Sequence, residues 1–243
     1  MGYLVNPISF RLGKVYNWKG LWYKKYLLSK YNFINILIDK YFGGFFQHKI
    51  FLKNFIFYSH SQINFLKNNI EINLYISNFN ILEFDKEEEE QEEDFQNISE
   101  EIKIFNLLQK IFNYSLYKIL KKKVNVRIFL LNNKTLNPII ISRYIVNQLL
   151  QYNSLNEVIF PLINIFNNNQ NINGYKIMCN GRFTKRQRAS HTIYKEGKLN
   201  FSTVTSLLEY NYLPVTLKYG VGGVKVWILK NTVEKNYNLK IYY

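Results

Sequence analysis

Cysteine and alanine each occur once in this 243-residue chain, as Cys179 and Ala189. A single thiol excludes an internal disulfide framework and fits a reducing compartment. No apolar run reaches the roughly 18–20 residues of a membrane helix, and stretches such as EVIFPLINIF are too short to span a bilayer. Cys179, His48, His60 and His191 have no metal-ligand spacing, and no Walker loop or dinucleotide fingerprint is present. These absences argue against an enzyme and against any cofactor or metal. Glycine is missing throughout residues 45–173. Acid is scarce over most of the chain: eleven of the seventeen acidic residues fall within 83–101, where Lys86 is the only base.

What is present is positive charge. The formal net charge is +15, and outside that acidic window 31 bases face 6 acids. A body this basic repels itself unless a polyanion lies close, and nucleic acid is the usual partner because neutralising phosphates releases counterions. An anionic membrane surface is the weaker alternative, since it favours a basic amphipathic helix. The chain has 33 Asn, 29 Ile and 26 Lys against 6 Arg. That skew follows A+T-rich codons and points to an A+T-rich genome such as an organelle's. Where lysine would serve, such a bias installs lysine, so clustered arginines mark sites that need the planar guanidinium.

The cluster is GRFTKRQRASHTIYKEGK, residues 181–198. Arg182, Lys185, Arg186, Arg188 and Lys195 are suited to phosphate, while His191 and Tyr194 are suited to stacking or hydrogen bonding. The N-terminal segment repeats the theme, with Arg11, Lys14, Lys24 and Lys25 among Trp18, Trp22 and other rings. Cations beside flat rings suit folded RNA. This segment lacks the apolar core and cleavage site of a secretory signal, and its Gly, Pro and Trp residues argue against a transit-peptide helix.

Periodicity predicts an irregular N-terminal arm, a helix beginning near Trp22, a short helix over 33–42 and strands over 55–60 and 70–76. The run EFDKEEEEQEED reads as a disordered, solvated insertion over 83–97. A helix capped by Asn97 follows, with apolar residues from Ile98 to Ile119 at steps of three and four. A strand over 124–131 comes next, then helices over 138–151 and 155–166. Further strands are expected at 175–179 and around 187–194, a short helix capped by Ser202 at 202–210, and a glycine-turned hairpin over 215–228. The expected class is α+β. Residues 1–32 make an arm and first helix, 33–132 a first domain, and 133–243 a second domain of two helices and a mostly antiparallel sheet.

Both ends resemble a known family. MGYLVNPISFRLGKVYNWKGLWY is similar to the opening of the bacterial-type small-subunit ribosomal protein S-three family. GYKIMCNGRFTKRQRASHTIYKEGKLNFSTVTSLLEYNY and YGVGGVKVWILK resemble its C-terminal domain. The resemblance implies a type II KH domain followed by an α/β domain, placed on the head of the small subunit near the channel through which mRNA enters. It implies contact with head-domain rRNA by Arg182, Lys185, Arg186 and Arg188, and by Asn6, Arg11 and Trp22. It also implies contacts with mRNA and with neighbouring head proteins.

Two features depart from the family. The KH grip needs a Gly-x-x-Gly loop, where only glycine lets backbone come so near phosphate; here the acidic run takes its place, giving a degenerate KH-like domain. The family's basic residues on the long C-terminal helix are missing from QLLQYNSLNEVIFPLINIF, which instead carries Glu157. The expectation is a ribosomal protein of a mitochondrion rather than a plastid, with a free organellar RNA-binding factor as the alternative.

Overall fold

The computed structural model describes residues 5–18, 20–21, 28–66, 69–79, 94–131, 136–183, 190–218, 220–231 and 240–241. The architecture is α+β with two sheets, and the chain divides into two compact units. One comprises residues 1–17 and 133–235, the other residues 18–132 and 236–243. The expected single arm over residues 1–32 is therefore split. Its first part, with helix α1 (Pro7–Phe10), folds with the C-terminal unit, and the rest with the other.

The unit built on residues 18–132 has a five-stranded sheet. Its elements are β1 (Gly20–Leu21), α2 (Leu28–Phe45), α3 (Lys49–Lys53), β2 (Ile56–Phe65), β3 (Asn69–Asn78), α4 (Asp94–Leu120), β4 (Lys123–Leu130) and β9 (Lys240–Ile241), in strand order β1-β2-β3-β4-β9. β2 and β3 pair antiparallel, with Ile63 opposite Ile72. β3 and β4 pair parallel, with Ile72 opposite Val126. A parallel pair needs a crossover, and α4 lies in that connection. Alternation puts Ile70, Ile72, Leu74 and Ile76 on one face beside Val124, Val126 and Ile128. Ile34, Ile38 and Phe42 of α2 and Phe46 just after it, with Phe105, Phe112 and Leu116 of α4, close over them as one core. Phe42 meets Phe112 edge-on, ring centroids 5.2 Å apart. Each such buried side chain contributes about 1.5–3 kcal/mol. Asp39 of α2 accepts hydrogen bonds from Tyr58 (2.7 Å) and Ser61 (2.8 Å) of β2, tying helix to sheet.

Two expectations for this unit change. The fourth helix begins at Asp94, so Asn97 lies inside it and is not its cap, and the expected insertion over 83–97 ends in helix. The short helix over 33–42 is an eighteen-residue helix, because the four-residue apolar step persists from Ile34 to Phe46. The helix start expected near Trp22 and most of the acidic run, residues 80–93, lie outside the described residues.

The C-terminal unit has a four-stranded antiparallel sheet in the order β6-β5-β8-β7. It contains α5 (Pro138–Leu150), α6 (Leu155–Asn168), β5 (Ile172–Asn180), β6 (His191–Gly197), β7 (Leu207–Leu217) and β8 (Gly220–Lys230). Pro138 opens α5 behind Asn137, whose side chain accepts from Ile139 N (2.9 Å). Ser154 and Glu157 form a reciprocal capping box on α6. The helix expected at 202–210 is absent: residues 201–206 bend, and Leu207–Leu217 is an eleven-residue strand paired along its length with β8. The apparent capping signal at Ser202 is overridden by that ladder.

Candidate nucleic-acid interface

Strand alternation gives this second sheet two chemically different faces. Tyr175, Ile177 and Cys179 of β5 lie opposite Ile228, Val226 and Val224 of β8, and all six are buried. α5 packs on β7 and β8, and α6 on β5. The Asn211 amide of β7 donates to Ser142 Oγ of α5 at 2.6 Å, which marks this as the helix-backed side. Cys179 is fully buried there, and burial pushes its thiol pKa up to about 12, leaving it neutral and inert.

The opposite parity makes the outer face. Lys176 lies opposite Lys195 on one side and Trp227 on the other. Met178 lies opposite Ile193 and Lys225. Trp227 then faces Tyr210, and Lys225 faces Tyr212. The rings of Tyr210 and Trp227 are 5.1 Å apart, and Phe201 meets Trp227 edge-on at 6.4 Å. Lys176 Nζ sits 5.2 Å from the Trp227 centroid and Lys225 Nζ 5.8 Å from that of Tyr212. Gly223 makes room for Tyr212: a Cβ there would lie 2.8 Å from its ring.

The two carboxylates on these strands fall on the helix-backed parity. Glu196 accepts from Tyr175 OH (2.7 Å), and Glu209 accepts from Lys230 Nζ (3.0 Å). The outer face of the four strands thus presents lysines and flat rings with no carboxylate between them. Like charges directly across a ladder, as at Lys176 and Lys195, are unfavourable on their own. A polyanion reverses that sign.

The arginine-rich stretch springs from one end of this face. Gly181 N–H donates to Ser190 O (2.9 Å) and Ser190 Oγ donates to Gly181 O (2.8 Å), closing the base of the loop. Gly181 has φ +135°, and a Cβ there would lie 2.7 Å from Gly222 Cα, so loop and β8 meet where neither has a side chain. A depression of about 300 Å³ at this junction is lined by Met178, Asn180, Gly181, Ser190 and His191.

The sequence-predicted residues separate accordingly. His191 and Lys195 are exposed on the outer face, and Arg182 is half-buried beside the loop base. Tyr194 turns to the helix side, where its hydroxyl donates to Asn156 Oδ1 at 2.8 Å. Asn6 caps α1, its side chain accepting from Ile8 N at 3.0 Å.

Arg11 is not a surface residue at all. It is fully buried, with Nη1 donating to Pro7 O (2.9 Å) and Nη2 to Asn200 O (3.0 Å), Thr203 O (2.7 Å) and Ser206 Oγ (2.9 Å). This guanidinium clamps the bend before β7 instead of meeting phosphate, and burial lowers its pKa. Lys14 is exposed; Trp18, 65% exposed, belongs to the other unit. Trp22, Lys24, Lys25, Lys185, Arg186 and Arg188 lie outside the described residues. Reading by charge clusters passed over Lys176, Lys225, Trp227, Tyr210 and Tyr212, which the sheet brings together on one face. Their signal was alternation in GYKIMC, LLEYNY and VKVWIL, where one parity is apolar and the other carries Lys, Trp or Tyr.

A helix-backed antiparallel sheet with a lysine–aromatic open face and Arg182 beside it defines a basic α+β domain whose open face suits a polyanion. Residues 145–228 match the family model for "Ribosomal protein S3, C-terminal domain". The chain is 32% identical to small ribosomal subunit protein uS3 of Carsonella ruddii (strain PV), over 97% of this chain and all of that one. It is 28% identical to uS3m of Acanthamoeba castellanii over 97% and 98% of the two chains, and 27% identical to uS3c of Euglena longa over 95% and 100%. The chain belongs to the small ribosomal subunit protein uS3 family.

Proposed function

We propose that this protein is a structural constituent of the small subunit of a mitochondrial ribosome and binds head-domain rRNA through the outer face of the β5–β8 sheet. One observation carries the reading: Lys176, Lys195 and Lys225 share an acid-free face with Trp227, Tyr210 and Tyr212. Lysines neutralise phosphates, and rings accept splayed bases or riboses. Arg182 stands beside that face. The near-full-length likeness to a uS3m protein supports the mitochondrial setting, and the A+T-skewed composition fits an organellar genome.

The unit around residues 18–132 is read as a KH-like scaffold. Its β3–α4–β4 order, with β3 and β4 parallel and adjacent and β2 antiparallel beside β3, supports this. With no glycine anywhere in residues 45–173, it has no Gly-x-x-Gly grip, so RNA contact is assigned to the C-terminal unit. The protein has no catalytic role in this reading. It lies near the channel through which mRNA enters, and α6, which carries Glu157 and no Lys or Arg, is not the element that grips the message.

The test is sedimentation of native extract through a gradient at rising salt. The chain is expected to stay with the small subunit where simple electrostatic complexes dissociate. A K176E/K195E/K225E variant is expected to leave the subunit at lower salt. Migration of the native chain with lighter RNA particles would instead favour a free RNA-binding factor.

A further inference from the structure

The depression of about 300 Å³ at the loop base differs in chemistry from the lysine–aromatic face beside it. Asn180, in its wall, lies opposite His191 of β6 and Gly223 of β8, on the outer parity of the sheet. The Asn180 side-chain oxygen is shielded from solvent and has no hydrogen-bond partner among the described residues. An unmet buried acceptor costs the fold stability and calls for a donor from outside the chain. The remaining wall cannot supply one. Ser190 Oγ and Gly181 N–H are committed to the bonds that close the loop. Met178 contributes a thioether and the exposed His191 a flat ring. Among the described residues, the wall carries no Lys, Arg, Asp or Glu.

We propose that this depression receives one unstacked base of the rRNA, whose edge N–H donates to Asn180 Oδ1 and whose face lies against His191 and Met178. The inference rests on the rRNA-binding reading above and names what one part of that face takes. Phosphate does not fit, because the wall offers it an acceptor and no cation. An acidic protein segment fails for the same reason. A nucleobase is neutral and flat and carries N–H donors on its edge, and single-stranded RNA is read by stacking such bases on side chains, His included, and bonding their edges. Lys176, Lys195 and Lys225 lie further along the same face, so the backbone that carries the base has its charges met. Ligand sites begin at roughly 300 Å³, which suits a single base here. The terminal torsion of an asparagine is broad, so the amide can turn to meet its donor. The floor is fixed, since loop and β8 meet at Gly181 and Gly222. A fixed acceptor suits a base of the folded rRNA, not one of a moving message.

The test compares small subunits carrying the parent chain with subunits carrying Asn180→Leu or His191→Ala in the full chain. Their RNA is probed with reagents that modify base edges and with hydroxyl radicals that cut the backbone. One rRNA base, protected in the parent, should become at least about fivefold more reactive in Asn180→Leu, with backbone protection unchanged. The same base should gain at least about twofold in His191→Ala, which alters only the exposed rim and leaves the buried amide in place. Because Oδ1 has no partner within the chain, the thermal midpoint of Asn180→Leu should equal or exceed the parent's. A lowered midpoint with backbone protection lost marks Asn180 as merely structural and overturns the proposal. Unchanged base reactivity in both variants, or exposure of a message base instead, also overturns it and leaves the rRNA-binding face standing. Absence of the chain from the subunit overturns the ribosomal reading and the base pocket with it.

Discussion

The N-terminal segment and the C-terminal sheet both set cations among aromatic rings, yet they use them oppositely. Arg11 lies against the Phe10 ring at 5.5 Å and is fully enclosed, its Nη2 bonded to carbonyls of Asn200 and Thr203. Lys176 lies against the Trp227 ring at a similar 5.2 Å but stands on an open face with a second lysine across the ladder. The difference lies in what surrounds the charge. Where backbone oxygens converge, a guanidinium acts as a structural cross-link. Where parity removes every acid, the charge is left for a partner. An arginine retained against an A+T-rich bias marks a need for planar, multiple donors, and at Arg11 that need is internal.

The comparison can be broken or sharpened by substitution. The largest effect is expected at Arg11→Met, which removes the hydrogen bonds of a buried cation to Pro7, Asn200, Thr203 and Ser206. It should lower the stability of the chain by about 3 kcal/mol, read as a shift in urea midpoint, with little change in the salt dependence of RNA binding. Trp227→Ala comes next, and its effect is expected in binding: removing a stacking ring should weaken rRNA affinity by about 1–3 kcal/mol in a filter-binding titration. Lys176→Gln should act more gently. It should reduce the slope of log K against log salt by about 1 and leave the unfolding transition in place, the mirror image of Arg11. Smallest is Glu209→Gln. It breaks the 3.0 Å pair with Lys230 on the helix-backed parity, where a partly exposed pair contributes at most about 1 kcal/mol. Equal salt slopes for Arg11→Met and Lys176→Gln would erase the distinction between the two regions.

Much of the fold was legible from spacing. Ile70 to Ile76 alternate because one sheet face is buried, and the α4 core residues recur at helical steps because only one side meets the sheet. Asn137 and Pro138 announced α5 through local chemistry that needs no tertiary context. What failed depended on distant partners. Residues 207–210 form a strand because β8 pairs with them, and nothing within Ser202–Tyr210 encodes that ladder. The role of Arg11 was invisible because its acceptors lie some 190 positions away. The open face was half legible: the strands in GYKIMC and VKVWIL were readable, but their register, which stacks lysine beside lysine and tryptophan, was not.

That Arg11 clamp also orders events in time. Its oxygens belong to residues 200–206, so α1 can dock only after nearly the whole chain has been made. At about 5–20 residues per second, roughly ten to forty seconds separate synthesis of the donor from synthesis of its acceptors. Residues 18–132, which lie between them and make up most of the other unit, have that interval in which to begin folding. The first helix of the chain is thus among the last pieces to be secured, and a nascent chain halted before residue 200 cannot lock its own beginning.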